Sequence, residues 1–281
     1  MKKSFILIPL LLIATIVTIV FGQRYSARQR EEMDGNLVSF AEDHEGVSEE
    51  TLETGNDAEE DGASSHKNLE YYEEHSESLT LYEFLDFLSL KNGEVSLAYY
   101  GDIDSEEAWV NELNTMIADS ISGDFNVMNH TYPEYDSYEL YIQQTTQAVI
   151  KDSPDVIIYG MPALPDKIRD IGLAETEEFM SYVLDSLLIQ EKTELLLLDP
   201  YPVPNEINQF NSRSLDYQSY LGRMQSLAEE KDITVLPLHS AFLNEASENS
   251  LAAYFDDNDD LNDEGTHQIV TILDTFFNEE L

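Results

Sequence analysis

From residue 79 onward the chain alternates short apolar runs with longer amphipathic segments. Leu81, Phe84, Leu85, Phe87 and Leu88 share one helical face, and Asn92-Gly93 closes that segment. Residues 95–100 then read as a buried strand, and four more runs of strand length follow at 125–128, 155–159, 194–198 and 233–236. Helix-length amphipathic stretches lie between them at 106–118, 137–151, 175–189 and 215–230, with a last one over 263–277. Strands alternating with helices predict a parallel sheet covered on both faces. Five strands in a span of about 200 residues predict a single doubly wound, flavodoxin-like α/β domain, whose ligands bind beyond the carboxyl ends of the strands.

This pattern is absent before residue 79. Lys2 and Lys3 precede an uncharged apolar run over residues 5–21, which is 17 residues against the roughly 20 of a spanning helix. Residues 1–23 are expected to form a membrane anchor, the leading lysines in the cytoplasm and the remaining chain outside. The rival expectation is a signal segment cleaved near Val20-Phe21-Gly22, which would release the chain. Residues 24–78, rich in Glu, Asp, Ser and Gly, hold too little apolar surface to offset their ordering entropy and are expected to be a disordered stalk. The folded domain is then expected over 79–281.

Charge narrows the range of partners. The 57 acidic residues against 14 basic ones give a formal net charge of −43, which repels phosphate backbones and argues against nucleic-acid binding. The absence of cysteine excludes disulfides, thiolate metal sites and a cysteine nucleophile.

The strand ends carry the candidate chemistry. Gly101-Asp102-Ile103-Asp104-Ser105 follows the first strand, and Ser153-Pro154-Asp155-Val156-Ile157-Ile158 leads into the third. A proline-rich loop, Asp199-Pro200-Tyr201-Pro202-Val203-Pro204-Asn205, follows the fourth. Asp257-Asn258-Asp259-Asp260-Leu261-Asn262-Asp263-Glu264-Gly265 precedes the last helix. In their order and spacing these blocks resemble the SGNH/GDSL hydrolase family, in particular its membrane-anchored bacterial branch, over residues 80–281. The resemblance implies ester hydrolysis, with an acylated envelope carbohydrate as the expected substrate class, and no organic cofactor. In that family a serine after Gly-Asp attacks the carbonyl and a histidine takes its proton. An aspartate three residues before that histidine orients it, while the serine amide, a glycine and an asparagine hold the oxyanion.

Matched to this pattern, Gly101, Asp102 and Asp166 belong to the cleft, together with Asn262 in the frame of Leu261 and Gly265. Asp257 takes the place of the orienting aspartate. Ile103 stands where the nucleophile belongs, Asp260 where the histidine belongs, and Pro165 where the asparagine belongs. No glycine of the second block is evident around Asn129-His130-Thr131-Tyr132. A non-catalytic descendant that binds an envelope glycan or protein is therefore an equal expectation.

Substitutes are available nearby. Ser105 is the candidate nucleophile, unless Asp104 or Ser105 merely caps the following helix. His267 is the candidate base. His239 and His130 also follow strands, where local hydrogen bonding would account for them. Asp260 would serve as a base only if desolvation or its neighbours Asp256, Asp257 and Asp259 raised its pKa. The spacing of Asp256, Asn258 and Asp260 begins like a calcium loop, but Leu261 and His267 occupy the positions that need glycine and glutamate. Tyr99, Tyr100, Tyr132, Tyr135, Tyr138 and Tyr141 either line a sugar cleft or pack, and Arg213 is expected to pair with a carboxylate.

Overall fold

The computed structural model describes residues 68–76, 78–246, 250–257 and 259–280. The apolar run 5–21 and the acidic stretch up to residue 67 lie outside them, and with them the expectations of an anchor, a stalk and a cellular location. Among the described residues no helix is long and apolar enough to cross a membrane.

Five parallel strands form one sheet in the order β2-β1-β3-β4-β5. They are β1 Glu94–Gly101, β2 Asp124–Thr131, β3 Val156–Gly160, β4 Glu194–Leu198 and β5 Thr234–Leu236. Every residue of β3 is buried, as a central parallel strand covered on both faces requires, while β2 at the edge is mostly exposed or half-buried. Side chains alternate across β1, so the sheet separates two cores. Val95, Leu97 and Tyr99 join one; Ala98 and Tyr100 join the other.

The first core is closed by α2 (Leu81–Asn92), α3 (Ala108–Ser120), α9 (Leu238–Glu245) and α10 (Asp263–Phe277). The opposite face carries α4 (Ser137–Ile142), α5 (Thr146–Asp152), α6 (Ala163–Ile168), α7 (Leu173–Leu187) and α8 (Tyr217–Glu230). The start of α2 is set by a reciprocal cap between Thr80 and Glu83, and its end by Gly93 at φ 85°. Asn262 caps α10 by accepting the Gly265 N–H at 2.9 Å.

Three departures from expectation have identifiable causes. The helix expected over 137–151 breaks into α4 and α5 at Gln144, where φ is 53°. There the Thr145 hydroxyl bonds the Leu140 carbonyl at 3.0 Å and stands 2.7 Å from the hydroxyl of Tyr100. The buried phenol needs that partner. Short helices α6 and α9 each begin directly after a proline, Pro162 and Pro237, where six to eight residues show no clear period. The packed chain also starts earlier than residue 79. Helix α1 (Leu69–Glu74) buries Tyr72, whose hydroxyl donates to Asp86 at 2.6 Å.

The register brings Gly101, Thr131, Gly160, Leu198 and Leu236 level at the carboxyl edge. Two of these positions need glycine. Gly101 lies at φ 83°, and a Cβ there would meet the Tyr159 ring and stand 2.7 Å from the Gly160 carbonyl oxygen. A Cβ on Gly160 would meet Ile103 and stand 2.6 Å from the Asp102 carbonyl oxygen. Gly101→Ala and Gly160→Ala should therefore each lower the unfolding free energy by about 2–4 kcal/mol in urea denaturation. Gly222→Ala, in α8 with open space around it, should raise it by roughly 0.5–1 kcal/mol in the same measurement.

Candidate functional site

Beyond the level strand ends lies a cleft of about 770 Å³. Ile103, Gly160 and Leu198 belong to its lining, with Asp102, Glu107 and Trp109 following β1 and Pro133 and Glu134 following β2. Leu164, Pro165, Ile168 and Arg169 come from α6 and its end, and Asp199, Pro200, Tyr201 and Val203 from the loop after β4. The chain turns sharply after β1. Asp102 N–H donates to the Gly160 carbonyl at 3.1 Å, and Ile103 N–H to the Gly101 carbonyl at 2.9 Å. The Ile103 side chain packs over Gly160 and is 4% exposed.

The cleft is strongly acidic. Its lining carries seven carboxyl groups, Asp102, Asp104, Glu107, Glu134, Asp136, Glu139 and Asp199, and a single cation, Arg169. Arg169 already pairs with Asp136 at 2.9 Å and Glu139 at 3.1 Å. Burial pushes the Asp102 carboxyl up to about 7, with help from the nearby Glu134 and Glu107 charges, although the Glu134 N–H bonds it at 2.8 Å. Burial likewise raises Asp199 to about 7, against the stabilising hydrogen bonds from Gln225 at 2.8 and 3.1 Å. Glu107 is raised by burial too, while Tyr201 donates to one of its oxygens at 2.8 Å and the Trp109 indole N–H to the other.

The residues singled out in the sequence are dispersed. Asp102 lines the cleft, and Gly101 shapes its floor through the turn above Gly160. Ser105 lies toward the β2 edge, where its hydroxyl oxygen accepts from the Asn129 amide and stands 3.5 Å from the Thr131 hydroxyl. It does not cap α3: Asp104 accepts the Glu106 N–H at 2.9 Å, and the cap position belongs to Glu107. Asp257 and Asp260 are exposed. Asp260 closes a turn through its backbone, its carbonyl accepting the Asp256 N–H at 2.8 Å. Its charge is nonetheless felt by Glu107 and Tyr201. His267 lies exposed on the second turn of α10.

Asn262 and Asp166 are occupied elsewhere. Asn262 caps α10 and donates to the Ala253 carbonyl at 2.8 Å. Gly265 of the same frame packs against the Tyr254 carbonyl, where a Cβ would not fit. Asp166 is fully buried and outside the cleft lining; it binds Ser137 N–H and hydroxyl at 2.7 Å each and the Thr176 hydroxyl at 2.6 Å. It thereby joins α6 to α4 and α7, and burial raises its pKa to about 6.

The remaining histidines also have local partners. His239 is buried in the first turn of α9 rather than in a loop, 3.2 Å from the Pro200 carbonyl and edge-on to Tyr217, and burial lowers its pKa. His130 Nε2 stands 3.1 Å from a carboxylate oxygen of Asp152. Arg213 stands 3.8 Å from Glu175, and Tyr99 and Tyr100 are core residues. Among the described residues no group of three His, Asp or Glu side chains is placed to hold a metal ion, and Asn258 of the calcium-like spacing lies outside them.

Glu107, Glu134, Arg169 and Asp199 were not singled out as site residues in the sequence. Position at a strand end was the only signal for Asp199. Glu134 had none beyond its loop, although its φ of 63° puts it in the left-handed region that favours glycine.

By sequence, no family model and no curated protein matches the chain. Solved structures do match it in fold. The acetyl xylan esterase AlAXEase is 18% identical with a TM-score of 0.51, over 64% of this chain and 98% of its own. A lipase/acylhydrolase from Enterococcus faecalis is 13% identical with a TM-score of 0.51, over 64% of this chain and 93% of its own. A catalytic mutant of Axe2, an acetylxylan esterase from Geobacillus stearothermophilus, is 16% identical with a TM-score of 0.52, over 66% and 95%. The five-stranded parallel sheet and its helices thus have the fold of the SGNH/GDSL-type esterases and lipases.

The buried carboxyls give stability a pH signature. An aspartate near 3.9 when unfolded and about 7 when folded contributes stability that is present below its unfolded pKa and lost as pH rises through 7. The unfolding free energy should fall between pH 5 and pH 8. Asp102→Asn, which keeps an acceptor for Glu134, should be more stable than the parent by on the order of 2 kcal/mol at pH 8. In urea titrations at the two pH values, an equal effect at both would contradict this origin.

Proposed function

We propose that this domain binds a glycan of the cell envelope in the cleft at its strand ends, without serine–histidine ester chemistry. The observation that carries this reading is Ile103. A buried aliphatic side chain, packed over Gly160, fills the place where the fold's hydrolases need a nucleophile, and its N–H is already bonded to the Gly101 carbonyl. Serine needs a base within hydrogen-bond reach, directly or through one water. The hydrogen-bond partners of Ser105 are instead Asn129 and Thr131, and Pro165 offers no N–H for an oxyanion.

The cleft suits a polyhydroxylated ligand. Leu164, Pro165 and Ile168 supply apolar surface, and the surrounding carboxylates accept hydroxyl hydrogen bonds. The same carboxylates disfavour an anionic ligand. Two of the neighbours in fold are acetylxylan esterases, which supports a carbohydrate as the ligand class. Lys2, Lys3 and the apolar run 5–21 support a domain tethered to the outer face of the cell membrane, with the acidic stretch as spacer.

The competing reading is hydrolysis of an acyl ester by displaced residues. Incubation of the full-length chain with acetylated xylan and with p-nitrophenyl acetate separates the two. Acetate and p-nitrophenol should stay at the level of the protein-free control, in the parent and in Ser105→Ala alike. Turnover abolished by Ser105→Ala would overturn the proposal and assign the nucleophile.

A further inference from the structure

An aromatic ledge crosses the surface beside the cleft. Tyr141 of α4 lies 5.5 Å and 16° from the ring of Phe179, and 5.0 Å and 23° from that of Tyr182, both on α7. Tyr138 meets Phe179 edge-on at 5.2 Å. Together they leave a contiguous aromatic patch, with Tyr138, Tyr141 and Tyr182 38%, 37% and 49% exposed.

This ledge is continuous with the cleft. Arg169 lines the cleft and holds its guanidinium carbon 5.9 Å from the centre of the Tyr138 ring. Glu139, the neighbour of Tyr138 on α4, lines the cleft as well. At its far end Tyr182 borders a second groove of about 520 Å³ that includes Glu178 and Asp185.

We propose that the ledge is an extended subsite for a polysaccharide without acidic groups. A chain seated in the cleft continues past Arg169 and over Tyr138, Tyr141 and Tyr182. The proposal rests on the glycan reading of the cleft and adds that the ligand is a polymer longer than the cleft holds. A sugar ring presents a face rich in C–H bonds and a rim of hydroxyls. Tyrosines offer the matching combination, a flat apolar face and a polar tip. Carboxylates at both ends of the ledge accept hydrogen bonds from hydroxyls and repel a polyanion.

The test is calorimetric titration of the full-length chain with xylobiose and xylohexaose, and with the corresponding chitosan di- and hexasaccharides. The hexasaccharide of the series that binds should be held at least tenfold more tightly than its disaccharide. Tyr138→Ala and Tyr182→Ala should each weaken the hexasaccharide about threefold to tenfold, with the affinity for the disaccharide unchanged. Tyr182→Trp, which keeps a ring face, should retain the affinity. Binding independent of chain length, or equal losses for both lengths, would refute the ledge and leave the cleft reading intact. Absence of binding by all four saccharides would refute the cleft reading and the ledge with it.

Discussion

Everything at the working edge of this domain depends on how closely the turn after β1 lies on the end of β3. Gly101 and Gly160 are paired in register, and neither has room for a Cβ. That close approach lets Asp102 donate its N–H to the Gly160 carbonyl and presses Ile103 over the strand end. Five strand ends held level then turn the loops after β1, β3 and β4 toward a common space. The side chain that this turn lays on the floor of the cleft, Ile103, is aliphatic.

A cleft with an apolar floor and acidic walls has unusual electrostatics. The groups that would stabilise carboxylates are few: Arg169 is shared between Asp136 and Glu139, and Lys167 is buried against Glu206. Asp102 and Asp199 are left with neutral donors only, the Glu134 N–H and the Gln225 amide. A neutral donor lowers a carboxyl pKa less than burial raises it at these sites, so these two carboxyls change charge near neutrality rather than in acid. What enters the cleft meets hydrogen-bond donors and acceptors in proportions that depend on the medium.

Much of the fold was legible in the sequence because burial on both faces leaves continuous apolar runs. The strand at 194–198 and the last helix at 263–277 stand where the pattern put them. What escaped the pattern depends on partners distant in sequence. The break at Gln144 exists because Tyr100, 45 residues from Thr145, needs a hydroxyl beside its phenol. Asp166 read as a rim carboxylate because nothing local reveals the three donors that Ser137 and Thr176 bring to it in the core. The acidic block before α10 was legible as a frame, since Asn262 and Gly265 serve capping and close packing. Those roles persist whatever chemistry the neighbouring position retains.

The small helix ahead of the sheet has a mechanical consequence. Any pull on the chain N-terminal to Asn68 reaches the domain through Leu69–Glu74, where Tyr72 is the buried side chain and Asp86 accepts a hydrogen bond from its hydroxyl. Asp86 also receives the Ser122 N–H at 2.6 Å and so holds the turn that leads into β2. Tension would peel six residues and one tyrosine away before it loaded a strand. The helix would thus give way first, at the end of β1 opposite the cleft.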